Sequence, residues 1–274
     1  MTIRAIAEPS ASAVLSAIRS RPRLKATMKK YLEAIGYDTT DWVRVAMYRH
    51  AFEFIARLGP ERLRVMEVSA GSQWRNKFAF ELFIGTSYPA FDICKDVLPE
   101  QFDLVIADQV FEHLKWPARA ARNVYAMVRP GGHFLIATPF LVRYHPSPID
   151  CNRWTSEGLS CFLQEAGFPE AGIQTFAWGN RSCLKANLSA WRKRGFFGSL
   201  RNEPDVPIMV WAYARKPLEP ARAEAIDSLQ GRLMPVQSNP GIEALYGANL
   251  AGHAINAFDA GTPHSAGFQA EAAR

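Results

Sequence analysis

Apolar residues in this chain fall into short unbroken runs, separated by stretches where they recur every third or fourth position. The clearest case spans Phe102 to Phe140. Leu104-Val105-Ile106-Ala107 is a run suited to a strand buried on both faces. Ala121, Val124, Tyr125 and Val128 then follow helical spacing, the stripe of a helix lying on a sheet. Pro130-Gly131-Gly132 stops that helix, and Phe134-Leu135-Ile136-Ala137 forms the next buried strand. A crossover of this length between two strands predicts a right-handed βαβ unit and a parallel sheet. Ligands of such sheets sit at the carboxyl ends of the strands, here Asp108-Gln109 and Thr138-Pro139-Phe140.

The same reading extends outward. Residues 1 to about 10 read as disordered and residues 11–58 as two or three helices. Asp38-Thr39-Thr40-Asp41 supplies N-caps for a helix from Trp42 to Leu58, with Val45, Tyr48, Phe52 and Ile55 on one face. Leu63–Val68 is the first strand and Ser69-Ala70-Gly71-Ser72 its turn. A second strand is expected between Glu81 and Ile93. Glu112-His113 begins the helix after the Leu104 strand. Thr155 caps a helix from Ser156 to Ala166, with Gly167 as its stop. Gly172–Trp178 is a strand, Leu184–Lys193 a helix, and Val206–Arg215 a last strand. From Pro217 onward large apolar residues are few, and a mobile tail is expected. The predicted division is 1–58, a helical extension, 59–216, the α/β domain, and 217–274, the tail.

FDLVIADQVFEHL followed by a helix and RPGGHFLIATPF resembles the class I S-adenosylmethionine-dependent methyltransferases. HPSPIDCNRWTSEGLSCFLQEAGF, His145 to Phe168, is similar to a segment of bacterial members that modify small molecules or saccharides. The resemblance covers roughly residues 40 to 216. It implies a Rossmann-like sheet of seven strands with helices on both faces, the last strand antiparallel. The residues alone give only a parallel α/β nucleotide-type fold; methyl transfer comes from the likeness.

Composition narrows the setting. A chain of 274 residues, 48% hydrophobic, can bury a full core. No apolar run approaches the ~20 residues of a membrane span, and the amino terminus lacks the apolar core of a secretory signal. Cys94, Cys151, Cys161 and Cys183 form no CxxC pair, so no metal site is expected and reduced thiols in the cytoplasm are the plain reading. Net charge is +6, and Arg19, Arg21, Arg23, Lys25, Lys29 and Lys30 cluster without an acid among them. Such a cluster suits nucleic acid, an anionic membrane or a solvated helix face. The absence of aromatic residues before Tyr31 favours the solvated face.

The likeness also assigns roles. Its acid-x-Gly-x-Gly-x-Gly turn becomes Glu67-Val68-Ser69-Ala70-Gly71-Ser72-Gln73, which keeps the acid and Gly71. Glu67 would accept a hydrogen bond from the cofactor's ammonium, with Ser69, Ala70 and Gly71 close to its methionine part. Asp92, followed by Ile93, matches either the second-strand acid that grips the ribose or the later acid that meets the adenine amine. Asp108, Gln109 and Val110 would line the methionine end. The loop is not Asn/Asp-Pro-Pro-Tyr/Phe, and no Pro-Cys is present, which argues against methylation of nucleic-acid bases. His113 is a candidate general base, having an ordinary pKa near neutrality, while Glu112 favours the helix dipole. His145 is the other candidate base, with Asp150 orienting it and Arg153 free to hold a carboxylate or phosphate, or else braced against Asp150. The predicted function is methyl transfer from S-adenosylmethionine to a small molecule or saccharide. The rivals are a non-catalytic binding or scaffold protein with a degenerate cofactor motif, and a Rossmann oxidoreductase, which the missing GxGxxG disfavours.

Overall fold

The computed structural model describes residues 22–218. In chain order its elements are α1 (Pro22–Ala34), β1 (Asp38–Asp41), α2 (Val45–Leu58), β2 (Arg64–Val68), α3 (Gln73–Lys77), β3 (Leu82–Gly85), β4 (Phe102–Asp108), α4 (Pro117–Met127), β5 (Val128–Pro139), α5 (Ser156–Glu165), β6 (Ile173–Trp178), α6 (Arg181–Asn187), β7 (Lys193–Gly195) and β8 (Met209–Arg215). Six strands form the main sheet in the order β3-β2-β4-β5-β8-β6. β3, β2, β4 and β5 run parallel, and β8 is antiparallel to both β5 and β6.

Strict alternation along each strand fills both faces. Met66, Val68, Val105, Ala107, Phe134 and Ile136 share one core with Val124 of α4 and Leu159 of α5. Val65, Leu104, Ile106, Leu135 and Tyr213 share the other with Met47, Ala51 and Ile55 of α2. Hence α2, assigned above to an extension of residues 1–58, is itself a layer on a face of the sheet. Its seating is aromatic, with Phe54 stacked on Tyr213 at 3.8 Å between ring centroids.

Among the described residues the main sheet has six strands where seven were expected. β3 ends at Gly85 and β4 starts at Phe102. Residues 86–101 are too few for a further helix and strand, since a βαβ unit takes about 30 residues or more. They cross as a loop that buries Ile93 in the α4-side core and passes its carbonyl to Asn123 Nδ2 at 2.8 Å.

Other boundaries shift for local reasons. Asp38–Asp41 caps no helix; it pairs with β7 in a separate two-stranded sheet, and no side chain caps the short 3-10 turn Trp42–Arg44. Glu112-His113 lies in a 3-10 turn, Phe111–His113, and α4 begins at Pro117, where the fixed φ suits a first helical turn. β5 starts at Val128, before the Pro130-Gly131-Gly132 stop, with Gly131 at φ +81° as the strand bends. α6 starts at Arg181 and not Leu184, because Asn180 caps it through Cys183 N at 2.8 Å. The Thr155 cap is present, accepting from Gly158 N at 3.0 Å. Residues 1–21 and 219–274, and so the expected disordered start and nearly all of the tail, lie outside the described residues. Among the described residues no helix is long and apolar enough to cross a membrane.

One consequence of this packing is testable at once. His133 of β5 meets Phe54 edge-on, at 5.4 Å between centroids. Burial, with Arg215 nearby, holds its imidazole down to about 4. An unfolded histidine titrates near 6.5. Between those values the unfolded chain binds a proton that the folded chain refuses, so stability is lost as pH falls from about 6.5 to about 4. Relative to wild type, His133→Gln should flatten that limb by about 2 kcal/mol. Denaturant midpoints at pH 7 and pH 4.5 in both proteins measure it; equal slopes would remove His133 from the effect.

Candidate active site

Two neighbouring strand ends carry acids, one buried and one half-buried. Glu67, next to last in β2, is 3% exposed. Its Oε1 accepts from Gly71 N at 3.0 Å, while its buried Oε2 has no partner. Asp108 ends β4, beside β2 in the register Glu67↔Ile106, Val68↔Ala107. Tyr48 of α2 donates its hydroxyl to Asp108 Oδ2 at 2.7 Å, and the Gln109 and Trp74 side chains also face the carboxylate. Burial pushes Glu67 up to about 7 and Asp108 upward as well. The guanidinium of Arg44, on the turn before α2, opposes the shift at Asp108.

The backbone here is strained on both strands. Ser69 and Gln109 are the non-glycine residues with positive φ, at 54° and 58°. Residues in this region cluster at binding sites, where surrounding contacts hold them against a cost of about 1–3 kcal/mol. The glycine that the likeness expects at 69 is thus replaced by a serine adopting the glycine conformation. The turn is tied to the end of β3, since Ala70 N donates to the Thr86 carbonyl at 2.8 Å. Gly85 allows that approach, because a Cβ there would lie 2.6 Å from Ala70 Cβ. A Cβ on Gly71 would meet only Glu67 Oε1, at 3.8 Å, so room remains above the turn.

Asp92 does not end the second strand, which stops at Gly85. It sits in the following loop, where Oδ1 accepts from Cys94 N at 3.0 Å and Oδ2 lies 3.1 Å from Lys95 Nζ. Asp92 thus lies seven residues past the end of that strand, in the loop before β4, and not at a strand end. The Ile93 and Val110 side chains are core residues, 4% and 6% exposed, so only their backbones are available to a ligand.

A small cleft opens past the ends of β4 and β5. Asp41, Arg44, Gln109, His145 and Trp191 line it, with Pro139 and Met209 at its apolar floor. His145 stands on the loop after β5. Its backbone N–H donates to Asp150 Oδ2 at 2.9 Å, and its Nδ1 lies 3.3 Å from the same oxygen and 3.2 Å from the Arg143 carbonyl. Arg153 clamps Asp150 with both of its terminal nitrogens, one at 2.6 Å from Oδ2, so its guanidinium braces the loop and is not presented to a ligand. Burial lowers the His145 pKa, leaving a neutral imidazole at pH 7.

His113 packs edge-on against His145, 5.2 Å between centroids, and its Nδ1 contacts the Ile149 carbonyl. Its Nε2 lies 3.6 Å from Glu112 Oε1. Glu112 is fully buried, and neither carboxylate oxygen has a hydrogen-bond partner.

The fold thus joins Glu67, Ser69, Ala70, Gly71, Asp108 and Gln109 at one pair of strand ends, and His113, His145, Asp150 and Arg153 at one loop. It adds residues the sequence reading missed: Arg44, Tyr48, Asp41 and Trp191, brought in by β1, the turn before α2 and the loop before β7. Only helical periodicity marked Tyr48, and as an ordinary core position.

Sequence comparison agrees with this geometry. A family model described as a methyltransferase domain matches residues 43–170, which takes in α2 to α5 and most of the site. No curated protein matches the chain. Among solved structures, an S-adenosylmethionine-dependent methyltransferase from Mesorhizobium loti is 18% identical, covers 64% of this chain and all of its own (100%), and has a TM-score of 0.44. An S-adenosylmethionine-dependent methyltransferase from Thermotoga maritima is 14% identical over 64% of this chain and 91% of its own, TM-score 0.40. The Haemonchus contortus phosphoethanolamine N-methyltransferase 2, in complex with S-adenosyl-L-methionine, is 15% identical over 62% of this chain and 53% of its own, TM-score 0.44. The match to a methyltransferase domain thus falls on residues 43–170, within a mixed α/β region built on a six-stranded sheet.

Proposed function

We propose that this chain transfers a methyl group from S-adenosylmethionine to an oxygen or other nucleophile of a small molecule or saccharide held in the cleft. The observation that carries the reading is the buried Glu67 carboxylate, one oxygen of which has no partner, set beside an open glycine turn and next to Asp108 on the adjacent strand end. An orphaned buried acceptor is costly, and a ligand bearing hydrogen-bond donors and positive charge relieves it. The cofactor supplies a sulfonium methyl already activated for transfer.

The residues of the chain do the rest. Glu67 would accept from the ligand's ammonium and the Ser69–Gly71 turn would lie along its amino-acid part. Asp108, Gln109 and the Val110 backbone close that end. Asp92 and the Ile93 backbone take the adenosine end. In the cleft, Asp41, Gln109 and Arg44 offer hydrogen bonds and Trp191 an aromatic edge, a lining suited to a hydroxylated acceptor. The neutral imidazole of His145, fixed from behind by Asp150, offers its lone pair to the acceptor. Holding the two reactants in line supplies much of the rate.

The adenosine end has its own test. Asp92→Ala should weaken S-adenosylhomocysteine binding at least tenfold, because a charged acceptor's hydrogen bond is worth about 1.5–3 kcal/mol and 1.4 kcal/mol is tenfold. Calorimetric titration of a folded variant decides it. An unchanged dissociation constant would leave Asp92 as the cap of its turn.

A further inference from the structure

Glu112 has no place in the methyl-transfer reading, yet it is the most fully buried acid of the site. Its side chain is 0% exposed, and both carboxylate oxygens lack a hydrogen-bond partner. A buried carboxyl without a partner is rare in folded chains and calls for a missing ion or group.

What faces it is specific. Glu112, His113 and His145 each bring one potential ligand atom to within 4.8 Å of the others. The 3.6 Å between His113 Nε2 and Glu112 Oε1 is too long for a hydrogen bond. It is close to the ~3.4 Å edge of a tetrahedron built on metal–ligand bonds of ~2.1 Å. Behind each imidazole stands an oxygen acceptor: the Ile149 carbonyl at His113 Nδ1, and Asp150 Oδ2 with the Arg143 carbonyl at His145 Nδ1. Metal-ligating histidines use such acceptors to fix the tautomer and free the other nitrogen. The acids Asp108 and Asp150 and the guanidinium groups of Arg44 and Arg153 stand around the cluster.

From this juxtaposition we infer that Glu112, His113 and His145 form a site for one divalent first-row cation, open to the acceptor cleft along the His145 side. Two imidazoles and one carboxylate suit zinc or its neighbours and leave a coordination position free. Magnesium, which prefers oxygen ligands, suits the set poorly. Only the cation's role, not its binding, rests on the methyl-transfer reading. An acceptor hydroxyl at the free position gives up its proton to bulk water more readily. Its oxygen then forms the bond to the methyl carbon as the carbon–sulfur bond breaks, the electron pair going to sulfur and discharging the sulfonium. On this inference the His145 lone pair serves as a ligand, because a simple general base leaves the two orphaned oxygens of Glu112 unexplained.

The test uses the full chain, stripped with a chelator. Zinc chloride is titrated by calorimetry and cobalt(II) by its visible absorption, for wild type, Glu112→Gln and His113→Gln. The expected result is one cation per chain, with a cobalt band that is lost and zinc affinity at least tenfold weaker in both variants. No stoichiometric binding, or equal binding in wild type and variants, overturns the site; if Glu112→Gln fails to fold, His113→Gln decides. S-adenosylhomocysteine is titrated into the same samples. Failure of that ligand with zinc binding intact overturns the methyl-transfer reading and leaves the cation site standing.

Discussion

His145→Ala is expected to bind S-adenosylhomocysteine as tightly as wild type and to lose about 10²–10⁴ of its single-turnover rate. The split follows from position. His145 lines the acceptor cleft, on the loop beyond β5, while the carboxylates read as cofactor ligands end β2 and β4. Its ring is held by an Asp150 that Arg153 already grips, so substitution leaves the loop's ion pair in place. The range is the usual worth of a positioned acid–base group. Loss of a metal ligand acts through charge stabilisation of several kcal/mol and falls in the same range. Rapid-quench methyl transfer at saturating acceptor gives the answer. An unchanged rate would mean that the imidazole only fills space and that the site works by positioning.

Replacing Glu67 should act on the other half of the site. Glu67→Gln keeps the shape and the acceptor for Gly71 N but removes the charge that would meet an ammonium. Hydrogen bonds to charged groups are worth about 1.5–3 kcal/mol, so S-adenosylhomocysteine affinity should fall by about 10- to 150-fold. A pH signature accompanies it. Burial lifts Glu67 to about 7, so in the free protein the carboxyl is protonated below that pH and must lose its proton to receive a cation. Affinity in wild type should therefore rise from pH 6 to pH 8 and level off above, and Glu67→Gln should abolish the slope. A pH-independent affinity in wild type would detach Glu67 from the ligand's ammonium.

Much of this was visible in local pattern. The run Leu104–Ala107, the helical stripe through Val124 and the run Phe134–Ala137 announced the parallel unit, and strand ends in such a unit announce the binding edge. Asp108 followed from that logic, while Glu67 and Gly71 came from the family likeness. What the pattern hid was convergence over distance. Tyr48 reads as a helix core position, and nothing near it in sequence marks Asp108 as its partner. Arg44, Trp191 and Asp41 reach the cleft only because β1 pairs with β7, and Asp38-Thr39-Thr40-Asp41 has the letters of a helix cap. Among the described residues no seventh strand joins the main sheet, since residues 86–101 are too few for a further helix and strand. Ser69 shows the converse: the motif lacks its glycine there, yet the backbone keeps the left-handed geometry at φ 54°. The orphaned oxygens of Glu112 carry no sequence signal at all, since only packing shows that nothing reaches them.

The central claim is that the Glu67–Asp108 edge receives S-adenosylmethionine. Calorimetric titration of the full chain with S-adenosylhomocysteine, and separately with NAD, tests it most directly. The account predicts saturable binding of one S-adenosylhomocysteine per chain and none of NAD. A folded protein that takes up no S-adenosylhomocysteine, or prefers NAD, would contradict it.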